Sequence, residues 1–148
     1  MYKHILLPTD GSDLALLAAK SGIALAKSIN AKVTAVYANP GIGPQFFQVD
    51  AALPESVINA ELARLKHLEE RYLAKVRAAA QKAGVPCDTV GVNNPIAYEA
   101  IIATATKRGC DLIVMGSHGH TGIKAILLGS VATKVLTHSK IPVLIWRK

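Results

Sequence analysis

The chain has 148 residues, 51% of them apolar but only 5% aromatic, and carries a formal net charge of +7. That length suits one domain with a sizeable core, and no apolar run nears the ~20 residues of a membrane span. The charge alone does not make a nucleic-acid binder. Arg64, Lys66, Arg71, Lys75, Arg77 and Lys82 share one helical stretch with Glu61, Glu69 and Glu70, a mixed-sign pattern without the aromatic-interleaved basic patch of a nucleic-acid module. An anionic small ligand is the better-motivated partner. No signal peptide is visible. Cys87 and Cys110 have neither metal-ligand nor redox spacing, and both are expected to be buried free thiols in a reducing cytoplasm.

Strand-like and helical patterns alternate along the chain. Strand one is predicted over residues 3–8. Helix one follows from about 13 to 29, with Ser12 as N-cap, Asp13 in the first turn and Leu14, Leu17, Ala18 and Leu25 on its apolar side. Strand two is predicted over 32–38. Residues 39–53, with Pro40, Gly41, Gly43 and Pro44, are long for a loop in a compact domain and read as a lid or binding segment. Helix two is predicted over 55–83, burying Ile58, Leu62, Leu65, Tyr72, Val76 and Ala79, with Gly84 closing it in left-handed geometry. Strand three covers 87–92. Helix three runs from about 96 to 108, entered through Pro95 and ended by Gly109. Strand four covers 111–115, helix four about 130–139, and strand five 141–146.

Repeated strand–helix–strand units with right-handed crossovers predict an α/β fold. It is a doubly wound, parallel five-stranded sheet in the order 3-2-1-4-5, with helices on both faces, in one domain spanning 1–148. That order places a switch point between strands one and four, where ligands bind beyond the carboxyl ends of the strands. Two loops meet there. One is Pro8-Thr9-Asp10-Gly11-Ser12; the other begins at Met115 and holds Gly116, Gly119 and Gly129-Ser130 in the spacing G-x2-G-x9-G-S.

A strand feeding a glycine-punctuated loop that ends at a helix N-terminus is a phosphate-binding arrangement. The first helical amides lack intrahelical partners, and the dipole favours an anion. Gly129 admits a phosphate to the backbone, where Ser130 Oγ and the amides of Ser130 and Val131 can donate. Ser130 alone reads better as an N-cap; Gly116 and Gly119 upstream reverse this in favour of the phosphate reading. Gly116 lets a flat base or ribose lie against the strand end, and Gly119 and Gly122 let the loop fold over phosphates near Lys124. Asp10 can accept hydrogen bonds from ribose hydroxyls or hold Mg²⁺ through water, while capping of helix one is its alternative role. His118 and His120 form an H-x-H pair that lacks a third metal ligand, so no metal site is expected and His118 is read as flanking a nucleotide. No P-loop, no Rossmann fingerprint after strand one and no nucleophile elbow occurs. Nor is there an evident general base, so efficient catalysis is not expected.

These residues resemble the universal stress protein family over nearly the whole chain. The likeness rests on HILLPTDGS (4–12), AGVP (83–86), DLIVMGSHGHTGIKAILLGSVATKVL (111–136) and IPVLIW (141–146). In that family G-x2-G-x9-G-[ST] is the ATP-binding signature. The resemblance implies an adenine nucleotide alpha hydrolase-like fold and a cytoplasmic, commonly homodimeric ATP-binding protein linked to stress survival, with AMP or ADP as alternative ligands and Mg²⁺ accompanying the nucleotide. It implies Pro8, Thr9 and Asp10 near adenine and ribose, and the backbone of Ala38 against adenine. Met115, Gly116, His118 and Gly119 would line the ribose and phosphate path, with Gly129, Ser130 and Val131 on the phosphates. Two departures stand out. Asn93-Asn94-Pro95 replaces the family's frequent Gly-x-Pro before helix three, and residues 39–53 match no motif.

Strand five is an apolar edge, a pairing hazard unless covered. Antiparallel pairing of two such edges through 141–146 about a twofold axis predicts a homodimer. The functional alternatives are a slow Mg²⁺-dependent ATPase or nucleotide-dependent enzyme, an interaction module with a vestigial site, and a nucleic-acid binder driven by charge.

Overall fold

The computed structural model describes residues 1–44, 53–120 and 128–147. Along them run β1 (His4–Pro8), α1 (Asp13–Ser28), β2 (Lys32–Asn39), α2 (Glu55–Ala83), β3 (Cys87–Asn93), α3 (Ala97–Arg108), β4 (Leu112–Gly116), α4 (Ser130–His138) and β5 (Val143–Trp146). The strands form one sheet in the order β3-β2-β1-β4-β5, every neighbouring pair parallel. The expected topology is therefore present, and its direction of winding reverses between β1 and β4. Strand ends differ for local reasons. Pro142 has no N–H to give a ladder, so β5 begins after it, although the Pro142 carbonyl still accepts from the Ile113 amide at 2.9 Å. β2 and β3 each run one residue beyond expectation because Asn39 pairs with Asn93.

Helices cover both faces, as a parallel sheet requires. On one face α1 and α2 pack over Ile5, Leu7, Val33, Ala35 and Val114; on the other α3 and α4 pack over Leu6, Val36, Ile113 and Met115. Strand β1 is buried along its whole length. Burying each large aliphatic side chain contributes roughly 1.5–3 kcal/mol, which makes this central strand the foundation of both cores.

Two apolar stripes differ from those predicted. The buried side of α1 is Ala15, Ala18, Ala19, Gly22, Ile23 and Ala26, whereas Leu17 is exposed and Leu14 and Leu25 lie at the margin. Small residues win because the helix sits close against the sheet: a Cβ on Gly22 would stand 2.5 Å from Leu7 Cδ2. Along α2 the buried residues are Leu65, Glu69, Leu73, Val76 and Ala80, and Leu62 is exposed. The acid is accommodated because Gly91 on β3 leaves room for its carboxylate and Lys66 Nζ lies 2.7 Å from Glu69 Oε1. Helix ends follow the sequence. Ser12 Oγ accepts from the Ala15 amide at 3.2 Å, and Gly84 and Gly109 close α2 and α3 with φ of 73° and 66°. Of the cysteines, Cys110 is buried and its thiol pushed up to about 11 by desolvation and by Asp111. Cys87, contrary to expectation, is only half-buried because it opens the edge strand β3.

At the amino end of the sheet, Asp111 ties β1 to β4. Its carboxylate accepts from the amides of Lys3 at 2.8 Å and His4 at 3.0 Å. The His4 side chain is buried, with Nε2 2.8 Å from Thr34 Oγ1. Desolvation, with Lys32 adding to it, holds this imidazole below its ordinary 6.5. The unfolded chain therefore takes up more protons than the folded one as pH falls through 6.5, so stability is full above that value and declines below it. Urea melts at pH 7.5 and 5.5 are expected to show a loss at the lower pH that shrinks in His4→Asn; an equal loss in both proteins would contradict this.

Candidate functional site

The carboxyl ends of β1, β2 and β4 open into a cleft of about 670 Å³, within the range of small-molecule sites. Of the site residues expected from sequence, those within the described residues lie on its wall. Pro8, Thr9 and Asp10 come from the end of β1, and Ala38 from β2. Met115, Gly116, His118 and Gly119 come from the end of β4 and its loop, and Gly129, Ser130 and Val131 from the start of α4. Gly122 and Lys124 lie outside the described residues, as do 45–52 of the expected lid segment.

Sheet and loop chemistry set these positions. The Thr9 amide donates to the Val36 carbonyl at 2.9 Å, continuing the ladder one residue past β1. Thr9 Oγ1 accepts from the Gly11 amide at 3.2 Å, and Gly11 turns with φ of 82° directly beneath the Tyr72 ring. Asp10 is held on both oxygens: Oδ1 accepts from the Ser12 amide and Oδ2 from the His120 amide, each at 3.0 Å. Ser12, not Asp10, caps α1. A Cβ on Gly119 would overlap Asp10 Oδ2, so the second glycine of the motif is required by the close approach of this carboxylate. His118 Nδ1 is hydrogen-bonded to Ser117 Oγ at 2.9 Å.

The wall of the cleft combines two kinds of chemistry. Pro8, Val36, Ala38, Ile101, Met115 and Leu128 contribute apolar side chains. The N-terminus of α4 contributes backbone, through Gly129, Ser130, Val131 and Ala132. Gly129 is its N-cap, so Ser130 is the first helical residue and not the cap. Among the described residues no side chain caps this end. The first carbonyl in the ladder, that of Gly129, accepts from the Thr133 amide at 3.0 Å, which leaves the amides of Ser130, Val131 and Ala132 without helical partners. The Gly129 amide is spent on the Ser117 carbonyl at 2.7 Å, and a Cβ on Gly129 would crowd that carbonyl at 3.1 Å. The first turn of α4 thus shares one cleft with apolar side chains from β1, β2, α3 and β4.

Tyr37, Ile101, Leu128 and His120 also line the cleft and were not among the expected site residues. Tyr37 adjoins Ala38 at the end of β2; burial, then Tyr72 and Glu69, push its phenol above the ordinary 10.0, so it stays protonated at neutral pH. The Asn93-Asn94-Pro95 departure has a structural explanation. Asn94 donates its amide to the Asn39 carbonyl at 2.9 Å and accepts the Ile96 amide on Oδ1 at 2.8 Å, forming the turn into α3. Among the described residues no group of three metal-ligating side chains occurs, and no helix is long and apolar enough to cross a membrane.

Sheet order and crevice together define a doubly wound α/β protein with an open cleft at its switch point. A model of the universal stress protein family matches residues 1–147, and the chain belongs to that family. It is 41% identical over 148 residues to universal stress protein MJ0531 of Methanocaldococcus jannaschii, covering 100% of this chain and 84% of that one. It is 31% identical over 153 residues to universal stress protein YxiE of Bacillus subtilis, covering 99% and 100%. Among solved structures, MJ0577 of Methanocaldococcus jannaschii superposes with a TM-score of 0.82 at 31% identity, over 100% of this chain and 98% of that chain. A universal stress protein solved in complex with cAMP superposes with a TM-score of 0.67 at 27% identity, over 99% and 97%.

Proposed function

We propose that this chain binds an adenine nucleotide, with ATP the principal ligand and AMP or ADP as lesser ones, and that its nucleotide-bound state regulates a stress response. One observation carries the reading: the N-terminus of α4, with Gly129 and Ser130 at its tip and no side-chain cap among the described residues, lies on a cleft whose wall also carries apolar side chains such as Val36, Ile101 and Met115. Phosphates suit the amides of Ser130 and Val131 and the Ser130 hydroxyl. The base suits the slot between Pro8, Ala38, Met115 and Gly116, with the ribose between Thr9, Asp10, His118 and Gly119. Mg²⁺ would arrive with the phosphates, and Asp10 is the acidic side chain on the wall. The relative solved with cAMP supports an adenine ligand.

The same reading places the protein, one domain over 1–148, in the cytoplasm, consistent with the two free thiols. It also makes the protein a homodimer through the outer edge of β5, where Leu144 is exposed. A charged edge residue blocks such pairing, so Leu144→Arg is expected to sediment as a monomer where the parent sediments as a dimer. A monomeric parent would contradict the dimer.

ATP at a hundred times its dissociation constant is expected to raise the melting temperature by roughly 5–10 °C. Gly129→Val, whose side chain meets the Ser117 carbonyl and fills the phosphate approach, is expected to lose that rise. An unchanged melting temperature of the parent protein with ATP, ADP and AMP would contradict the proposal.

A further inference from the structure

The H-x-H pair of the glycine loop has a second histidine that phosphate binding does not use. His120 reaches back across the switch point to Asp10 at two points, 110 residues away in sequence. Its amide donates to Asp10 Oδ2 at 3.0 Å, and its ring Nε2 stands 2.7 Å from the Asp10 carbonyl oxygen. A carbonyl only accepts, so Nε2 carries the proton and donates. The ring is also tilted against Tyr72, with centroids 6.3 Å apart, and Tyr72 in turn covers Gly11. The short loop after β1 is therefore held from two sides, by Tyr72 over Gly11 and by His120 on Asp10. The glycine before His120 is what permits this, because any side chain at 119 would displace the carboxylate.

We propose that His120 is a positioning residue for nucleotide binding, fixing Asp10 so that its carboxylate reads the ribose hydroxyls; this rests on the adenine-nucleotide reading above. Each Asp10 oxygen spends one acceptor site on a backbone amide, from Ser12 or His120. A carboxylate has about four such sites, so each oxygen keeps one for a ligand hydroxyl. Two fixed amide donors set the plane of the carboxylate, and the remaining lone pairs then point in set directions. The His120 ring donates to the main chain of Asp10, so it sets where the residue stands and itself takes no ligand hydrogen bond. Discrimination follows: a nucleotide with ribose hydroxyls benefits from the arrangement, and one without them does not.

The experiment is calorimetric titration of the full chain with ATP and with 2′,3′-dideoxy-ATP, using the parent, His120→Phe, His120→Gln, Asp10→Ala and the Asp10→Ala/His120→Phe pair. Phe keeps a ring against Tyr72 but cannot donate, whereas Gln keeps a donor. His120→Phe is expected to weaken ATP about tenfold, the scale of a charge-assisted hydrogen bond lost in the complex, and to leave dideoxy-ATP within about twofold. His120→Gln is expected to recover most of the loss. The double variant should bind ATP no more weakly than Asp10→Ala alone, since the histidine acts through the aspartate. Equal weakening of both nucleotides by His120→Phe, or no weakening of either, would overturn the positioning role. So would equal affinity of the parent for the two nucleotides. Should His120→Phe not fold, as judged by its melting curve, His120→Leu makes the same comparison. If the parent binds neither nucleotide, the underlying reading fails; if it binds ATP and the variants do not discriminate, this inference alone fails.

Discussion

The pairing of β1 with β4 is the constraint on which the rest of the structure depends. β1 is the central strand of the five and β4 its neighbour, in register through Ile5 with Leu112 and Leu6 with Ile113. They are pinned at their amino ends by the Asp111 carboxylate on the Lys3 and His4 amides. From β1 the chain winds outward through α1 to β2; from β4 it winds the other way through α4 to β5. The two outgoing loops must therefore separate, and a crevice opens where they part. Had β1 and β4 not been neighbours, Asp10 and Gly119 could not meet and the cleft would lack its floor.

That crevice joins two kinds of chemistry. Its apolar side chains are part of the core itself, such as Val36, Ile101 and Met115, so a bound base would extend the packing of the α3 and α4 face. Its polar component is backbone: amides at the start of α4 that no side chain among the described residues caps. Uncapped helix ends carry a cost in the free protein, and an anion placed there relieves it. The amide donors are fixed by the helix and need no reorganisation to receive a phosphate. At 119 a side chain would displace the Asp10 carboxylate, and at 129 it would crowd the Ser117 carbonyl.

The fold was largely legible in the sequence because it rests on period and punctuation. Alternating apolar runs, Ser12 before α1, and Gly84 and Gly109 after α2 and α3 are local signals that tertiary packing did not override. The helix faces were less legible. A stripe of large apolar residues is the default reading for burial, yet α1 buries mostly alanine and glycine because it lies close against the sheet at Gly22, and α2 buries Glu69 because a glycine lies opposite on β3. Both depend on a partner element far away in sequence. The site divides the same way. Residues at strand ends and in the glycine loop follow from the topology, the glycine spacing and the family resemblance. Ile101, by contrast, reaches the cleft from the body of α3, whose rotation is set by packing against β2 and α4. His120 could be seen as half of an H-x-H pair, but its partner at Asp10 becomes visible only once β1 and β4 are side by side.

The central claim is that a nucleotide sits across the switch point with its phosphates on the first turn of α4. The most direct measurement is the perturbation of backbone amide resonances on titration with ATP. The largest shifts are expected at Ser130, Val131 and Ala132, with further shifts at Ala38, Gly116 and Gly119 and little change toward His138 at the far end of the same helix. Shifts confined to the basic face of α2, or absent from the start of α4 at saturating ATP, would contradict the account.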